Sequence, residues 1–119
     1  METTNTAMEA EATMKFIIKG RTFDTATSSV VAFHRGSYIP TEFSGQPGVE
    51  SVRFEDTLFR TAKGTFWVHE HNTAKHMRGK PVVTDEATEL VDAATALRWV
   101  QDRGAVLVDD TGLELPPEA

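Results

Sequence analysis

Residues 53–71, with the sequence RFEDTLFRTAKGTFWVHEH, predict a β-hairpin. Two runs rich in β-branched and aromatic residues, 57–61 and 65–68, flank a short connection at residues 62–64. A three-residue loop of this kind is typically a type I turn followed by a residue in the left-handed conformation, which Gly64 adopts without a clash. We therefore expect two antiparallel strands joined at residues 62–64.

The turn also predicts the register of this hairpin. If Thr61 pairs with Thr65, the cross-strand partners are Arg60 with Phe66, Phe59 with Trp67, Leu58 with Val68, Thr57 with His69 and Glu55 with His71. Side chains alternate across a strand, so cross-strand partners share a face and successive pairs lie on opposite faces. One face then carries Glu55, Thr57, Phe59, Trp67, His69 and His71, and the other carries Leu58, Arg60, Phe66 and Val68. Both faces are apolar near the turn, so the pattern leaves open which of them is buried.

Length and composition are those of one soluble domain with a single core: 119 residues, 39% hydrophobic and 25% charged. The sequence has no run of about 18 apolar residues, so no membrane-spanning helix is expected. It also lacks a basic segment followed by an apolar one near the N-terminus, so no secretory signal is expected. Since there is no cysteine, disulfides, thiol nucleophiles, iron–sulfur clusters and cysteine zinc sites are excluded, and a cytoplasmic location is the simplest expectation.

Acidic residues are concentrated at the two ends of the chain. Residues 1–13 and 109–119 together carry seven of the eighteen acids and no base, whereas residues 14–108 carry eleven acids and twelve bases. The near-neutral middle argues against a DNA mimic, whose acids would cover one folded face. We expect residues 1–13 to be a disordered extension, 14–108 to be one domain and 109–119 to be an acidic tail, with a short edge strand at 113–115.

Further strands are predicted on both sides of the central hairpin. Residues 15–19 and 21–24 form a second hairpin that turns at Lys19 and Gly20, with Phe16 opposite Phe23. The remaining expectations are a strand at 28–35, a long surface loop at 36–52, an irregular stretch at 72–80, one or two short strands at 81–91 and a last strand at 105–108.

One helix is predicted, over residues 93–103. Asp92 is a favourable N-cap, and Gly104 suits the position that follows the last helical residue. The apolar residues of this segment are Ala96, Leu97, Trp99 and Val100, which supply a short surface for docking on a sheet. The predicted fold is α+β: an antiparallel β-sheet of five or more strands with one helix from the C-terminal half packed on one face.

Several of these motifs occur together in a known setting. Lys19 to Thr25, Phe54 to Thr61, Lys63-Gly64 and the helix start at Asp92 resemble a pattern in small uncharacterised proteins of phages and other mobile elements. The resemblance covers roughly residues 14–103 and ends locally after Val68, where His-Glu-His-Asn stands in place of a glycine-rich turn. It implies a fold and a genomic setting. Compact proteins from such elements often bind host machinery, so the leading expectation is a non-enzymatic protein-binding module, such as an anti-CRISPR-like inhibitor of a host defence protein.

Two histidines belong to the one group of side chains whose types and spacing suggest a metal site. His69 and His71 lie two residues apart on one face of the predicted strand, and Glu55 is paired with His71. Two nitrogens and one oxygen suit zinc or iron, and His76 is a candidate fourth ligand. The alternative is that these side chains are solvated polar residues at a strand end. His34, on another strand, is expected to be a packing histidine.

Two groups of residues are candidates for binding a partner. The segment KHMRGK contains Lys75, Arg78 and Lys80 and is expected to lie near Arg60 and Lys63, so that residues 60–80 carry five bases against one acid. Such a region suits contacts with a nucleic-acid backbone, and the alternative is a solvated loop. The second group is Tyr38, Ile39 and Phe43, which either cover the core as a lid or anchor a protein partner.

Other catalytic chemistry has little support in this sequence. There is no Gly-x-Ser-x-Gly motif, no phosphate-binding glycine-rich loop ahead of Lys-Ser/Thr and no dinucleotide fingerprint, so no cofactor is expected. Asp85, Glu86 and Glu89 are expected to cap or solvate a turn. Three hypotheses remain: a protein-binding module, an accessory protein that contacts nucleic acid through residues 60–80, and a metal-dependent enzyme or metal-stabilised domain.

Overall fold

The structure, a computed structural model, describes residues 13–39, 49–76 and 82–118. Its elements in chain order are β1 (Lys15–Ile18), β2 (Arg21–Asp24), β3 (Ser29–Tyr38), β4 (Val49–Arg60), β5 (Phe66–His76), β6 (Val82–Val91), α1 (Ala93–Arg103) and β7 (Val106–Leu107). Strands β6-β5-β4-β3-β7, in that order, form a five-stranded antiparallel sheet, and β1 and β2 form a separate antiparallel pair. The α+β prediction, with one helix on a sheet of at least five strands, is confirmed.

The register of both predicted hairpins is confirmed. Each predicted pair of the central hairpin, from Arg60–Phe66 to Glu55–His71, is a cross-strand pair of β4 and β5. In the first hairpin Phe16 lies opposite Phe23. Gly64 has a φ of 90°, which is the left-handed conformation that the three-residue turn requires.

The sheet is buried on both faces, which answers the question left open by the pattern. The helix face, on which α1 packs, carries a core of Val31, Ala32, Leu58, Phe66, Val68, Ala96 and Trp99. The hairpin face, on which β1 and β2 pack, carries a core of Ile18, Phe23, Phe59 and Trp67. The central hairpin is therefore the middle layer of three, and this explains why it is apolar on both sides near its turn.

Helix α1 begins and ends as predicted. Asp92 Oδ1 accepts a hydrogen bond from the Thr95 backbone N–H at 2.7 Å, and Gly104 follows the helix with a φ of 61°. This backbone hydrogen bond is the main reason why the pKa of Asp92 is lowered from its ordinary value.

We expect Asp92→Ala to lower the thermal unfolding midpoint by a few degrees, because the first turn of α1 loses a hydrogen-bond acceptor. The matched control is Asp102→Ala, which removes an exposed carboxylate from the same helix without removing a cap. Differential scanning fluorimetry of both variants measures the effect. Equal midpoints for the two variants would show that the cap does not stabilise the fold.

Two strands run further than predicted. β3 continues to Tyr38 and β4 begins at Val49, so the prediction of a loop over all of 36–52 is wrong at both ends. Gly36 remains in β3 because the ring of its cross-strand partner Phe54 covers it: a Cβ on Gly36 would lie 2.7 Å from Phe54 Cζ. The aromatic ring supplies the packing that glycine lacks.

The end of the central hairpin also differs from the prediction. β5 continues through His76, so the irregular stretch expected from residue 72 is a strand as far as residue 76. Its polar residues stay in the sheet because β4 and β6 pair with it on both sides. Residues 82–91 form one long strand, whereas one or two short strands are predicted for 81–91.

The C-terminal segment packs on the domain beyond the predicted boundary at residue 108. Leu113 contacts the core on the helix face, and Asp109 pairs with Arg60. Residues 113–115 form no strand, which corrects the edge-strand prediction. The predicted extension at 1–13 lies outside the described residues except for Thr13.

Candidate functional site

A cleft of about 790 Å³ lies between the β1–β2 hairpin and the hairpin face of the sheet. Its apolar lining includes Met14, Val30 and Phe59, and its polar lining includes Arg35, Glu55, Thr57, His69 and His71. A cleft of this volume with a few convergent polar groups has the dimensions of a small-molecule site. It contains all three residues of the predicted metal set.

Polar and ionisable side chains line up across four strands at this cleft. Arg35 on β3 is the cross-strand partner of Glu55 on β4, Glu55 of His71 on β5, and His71 of Glu86 on β6. Cross-strand pairing places all four on the hairpin face. The nearest ion pair of Glu55 is with Arg53, at 3.5 Å from Nε to Oε1, and this pair is partly exposed.

His69 is held inside the protein by a partner that the sequence interpretation missed. Its side chain is 7% exposed, and its Nε2 lies 2.9 Å from Glu86 Oε2. The imidazole also contacts the ring of Phe16, with ring centroids 4.6 Å apart, and the ring of His71, at 5.9 Å. From the sequence alone, Glu86 is expected to cap or solvate a turn. If residues 82–91 are taken as one continuous strand, Glu86 lies opposite His71 and on the same face as His69.

The structure does not assemble the predicted metal set. Within residues 13–39, 49–76 and 82–118, no three histidine, aspartate or glutamate side chains are grouped so that they could hold a metal ion. Glu55 and His71 are paired as predicted, but His69 is turned to Glu86. The side chain of His76 lies outside the described part.

His34 lies on the other face, in a polar cluster beside α1. It is stacked on Phe54 with ring centroids 4.7 Å apart, and its Nδ1 lies 3.5 Å from Asp56 Oδ2. Asp56 is in turn the cross-strand partner of Glu70, which accepts a hydrogen bond from Arg103. Burial raises the pKa of Asp56, the contact with His34 lowers it, and the neighbouring Glu70 raises it.

The raised pKa of Asp56 predicts a pH dependence of stability. Folded Asp56 holds its proton to a higher pH than the unfolded chain does, so its contribution is most favourable at low pH and is lost as the pH rises through the folded pKa. We therefore expect Asp56→Asn to stabilise the fold at neutral pH and to have less effect toward pH 4. Urea unfolding across this range measures the difference.

The control for this series is Asp85→Asn, which changes an exposed carboxylate in the same way. Its effect on the free energy of unfolding, measured over the same pH range, is the reference with which the effect of Asp56→Asn is compared. A stabilisation by Asp56→Asn that is the same at pH 4 and pH 7 would contradict the burial argument.

Some of the predicted partner-binding residues lie together at one end of the sheet. Tyr38 and Ile39 are 55% and 79% exposed, and Lys75 is exposed. Phe43, Arg78 and Lys80 lie outside the described residues. Tyr38, Val52, Ala74 and Val82 form one cross-strand row, so Val82 and Val83, both about half exposed, belong to the same end. We call Tyr38, Ile39, Lys75, Val82 and Val83 the distal end.

Two bases of the predicted basic region lie at opposite ends of the sheet. Lys63 lies in the turn before β5, whereas Lys75 lies near the end of this eleven-residue strand, which is roughly 35 Å long. Arg60 is not available, since its guanidinium donates to the Thr111 carbonyl at 2.7 Å and to Asp109 at 3.3 Å. The prediction that Lys75 lies near Arg60 and Lys63 is therefore wrong, and residues 77–80 of the KHMRGK segment lie outside the described part.

Comparison of the chain with protein-family models, with curated proteins and with solved structures found no match. In the described ranges no helix is long and apolar enough to cross a membrane. The chain is an α+β domain in which a hairpin, a sheet and a helix form three layers. Its surfaces are the basis for inferring its function.

Proposed function

We propose that this protein is a non-enzymatic protein-binding module and that the distal end holds its partner. The observation that carries this proposal is the exposure of large apolar side chains there: Ile39 is 79% exposed, and Tyr38, Val82 and Val83 are each more than half exposed. Exposed apolar side chains grouped at one place are typical of interaction surfaces, whereas scattered ones are ordinary.

The charges beside the distal end indicate the chemistry of the partner surface. Lys75 and Arg53 are each one residue from the Tyr38–Val82 row, so they lie on the opposite face of the sheet, which also carries Val83. Arg53 is paired with Glu55, whereas Lys75 forms no ion pair within the described ranges. A partner surface that is apolar, with an acidic group on the side of Lys75, would therefore match this end of the sheet.

The proposed partner is a host protein, and the proposed role is inhibition of a defence system. The support for this finer proposal is the resemblance of residues 14–103 to small proteins of phages and other mobile elements, whose compact products often act on host machinery. Inhibition by binding requires a partner surface and no catalytic centre.

The test compares two double variants with matched exposure. Ile39→Ser with Val82→Ser removes apolar surface from the distal end, and Ile17→Ser with Val108→Ser removes similarly exposed side chains elsewhere. The parent and both variants are immobilised. Bacterial proteins that bind the parent are identified and purified, and their affinity for all three proteins is measured. The same proteins are expressed in bacteria carrying individual defence systems, which are then challenged with phage.

We expect the distal-end variant to lose about tenfold or more in affinity for the purified partner and to lose protection of the phage, while the control variant keeps both. Equal losses in the two variants would place the partner elsewhere on the molecule. Catalytic turnover of a substrate by the parent would overturn the non-enzymatic proposal.

A further inference from the structure

A second groove, of about 380 Å³, lies between the turn of the β1–β2 hairpin and the turn of the β4–β5 hairpin. Three cations line it: Lys19 and Arg21 from the first hairpin and Lys63 from the second. Its lining also includes hydroxyl groups, among them those of Ser28 and Thr61. The groove is at the opposite end of the central hairpin from the distal end.

The three cations have no carboxylate partner in the part of the chain that the structure describes. Within the described ranges, none of Lys19, Arg21 and Lys63 forms an ion pair, whereas Arg53, Arg60 and Arg103 each do. Asp24 lines the groove, and its Oδ1 accepts the backbone N–H of Ala26 at 2.8 Å. Cations that share a groove repel one another, and an anion bound between them relieves this repulsion.

The backbone at Lys19 is a further feature of the groove. Lys19 has a φ of 52° and is the one non-glycine residue with a left-handed backbone in the described part, as its two-residue turn with Gly20 requires. Asparagine, aspartate or glycine is favoured at such a turn position, and a residue with a longer side chain adopts it less readily. Unfavourable backbone conformations that persist are concentrated at binding sites, and here the residue concerned is a cation of the groove.

Two hydroxyl groups in the lining, those of Ser28 and Thr61, can donate a hydrogen bond to a ligand. Ser28 Oγ accepts the indole N–H of Trp67 at 3.1 Å, and Thr61 Oγ1 accepts the backbone N–H of Thr65 at 3.1 Å. With an acceptor position already used, each hydroxyl has its own hydrogen available for an anionic oxygen.

We propose that this groove binds the diphosphate group of a small phosphorylated molecule. Three positive charges and two hydroxyl donors match the several anionic oxygens of a diphosphate, and the volume is within the range of small-molecule sites. A nucleic-acid backbone fits less well, because it would need cations spread along a continuous track, and Lys75 is separated from Lys63 by the length of β5. This site is distinct from the proposed protein-binding surface.

The test uses isothermal titration calorimetry at low ionic strength with inorganic pyrophosphate, ADP and a single-stranded oligonucleotide as probes. The groove variant is Lys19→Gln, Arg21→Gln, Lys63→Gln. The control variant is Lys15→Gln, Arg35→Gln, Arg98→Gln, which removes the same positive charge from exposed positions outside the groove. Lys63→Gln alone, in an exposed turn, serves if the triple groove variant does not fold.

We expect the parent and the control variant to bind pyrophosphate and ADP, and the groove variant to bind them about tenfold or more weakly, since charge-assisted hydrogen bonds are lost. Equal weakening in both triple variants would mean that only net charge matters and would overturn the site. Absence of pyrophosphate and ADP binding by the parent would do the same. Tighter binding of the oligonucleotide than of either small probe would replace the diphosphate proposal with a nucleic-acid one.

Discussion

Replacing Trp67 with Ala is expected to remove about 3–5 kcal/mol from the free energy of unfolding. Trp67 is fully buried, its ring is stacked on Phe59 with centroids 4.4 Å apart, and it contacts Phe16 and Phe23 at 5.9 and 5.7 Å. These rings join the β1–β2 hairpin to the sheet, so the loss is a large part of the roughly 5–15 kcal/mol that stabilises a domain. Urea or guanidinium unfolding, followed by circular dichroism, measures it.

The matched comparison is between Trp67→Phe and Trp99→Phe. The indole N–H of Trp67 donates to Ser28 Oγ, whereas that of Trp99 is buried without a partner in the described part of the chain. Trp67→Phe therefore loses a hydrogen bond and leaves the Ser28 hydroxyl without its donor, and Trp99→Phe removes an unsatisfied group. A larger loss of stability for Trp99→Phe would contradict this description of the two cores.

The other large effect is expected on the helix face. Leu58 is fully buried at the centre of the sheet, between its cross-strand partners Ala32 and Val68, in the cluster that includes Ala96 and Trp99 of α1. Leu58→Ala should lower the free energy of unfolding by about 2–5 kcal/mol, because strands on both sides and the helix above limit how far the cavity can collapse.

The control for this variant is Ile17→Ala, which truncates an aliphatic side chain that is 79% exposed. Its effect should stay within about 0.5 kcal/mol. Similar losses for the two variants would show that the helix does not seal the core over Leu58. The two variants are compared through their unfolding midpoints with a common m-value, so the difference between them does not depend on extrapolation to zero denaturant.

The two proposed binding regions can be tested independently because they lie at opposite ends of β4 and β5. Substitutions that far apart normally have additive effects. We expect the distal-end variant to bind pyrophosphate as the parent does, and the groove variant to keep its protein partner. Failure of one proposal therefore leaves the other standing.

The features that sequence predicted correctly are those that local chemistry determines. The three-residue turn ending in Gly64 set the register of the central hairpin over its predicted length, and Asp92 and Gly104 marked the two ends of α1. In each case a few neighbouring residues restrict the backbone, and no distant contact is needed. Alternation along β4 and β5 likewise placed Glu55 and His71 side by side.

Strand ends and charge partners depended on residues far apart in the chain. Gly36 is a strand residue because Phe54 covers it, and residues 72–76 form a strand because two neighbouring strands supply their backbone partners. Neither condition is visible in the composition of these segments, which is polar and rich in residues typical of loops.

The grouping of side chains at the candidate sites also depends on residues that are far apart in the chain. By itself the sequence determined that His69 and His71 share a face, that Lys19 and Lys63 each lie in a turn, and that residues 93–103 form a helix. Only the tertiary structure decided that Glu86 is the partner of His69, that the turns of Lys19 and Lys63 meet at one groove, and that Lys63 and Lys75 lie at opposite ends of β5. The reason is physical: alternation and turn geometry act over a few residues, whereas side-chain partners are selected by the packing of hairpin, sheet and helix on one another.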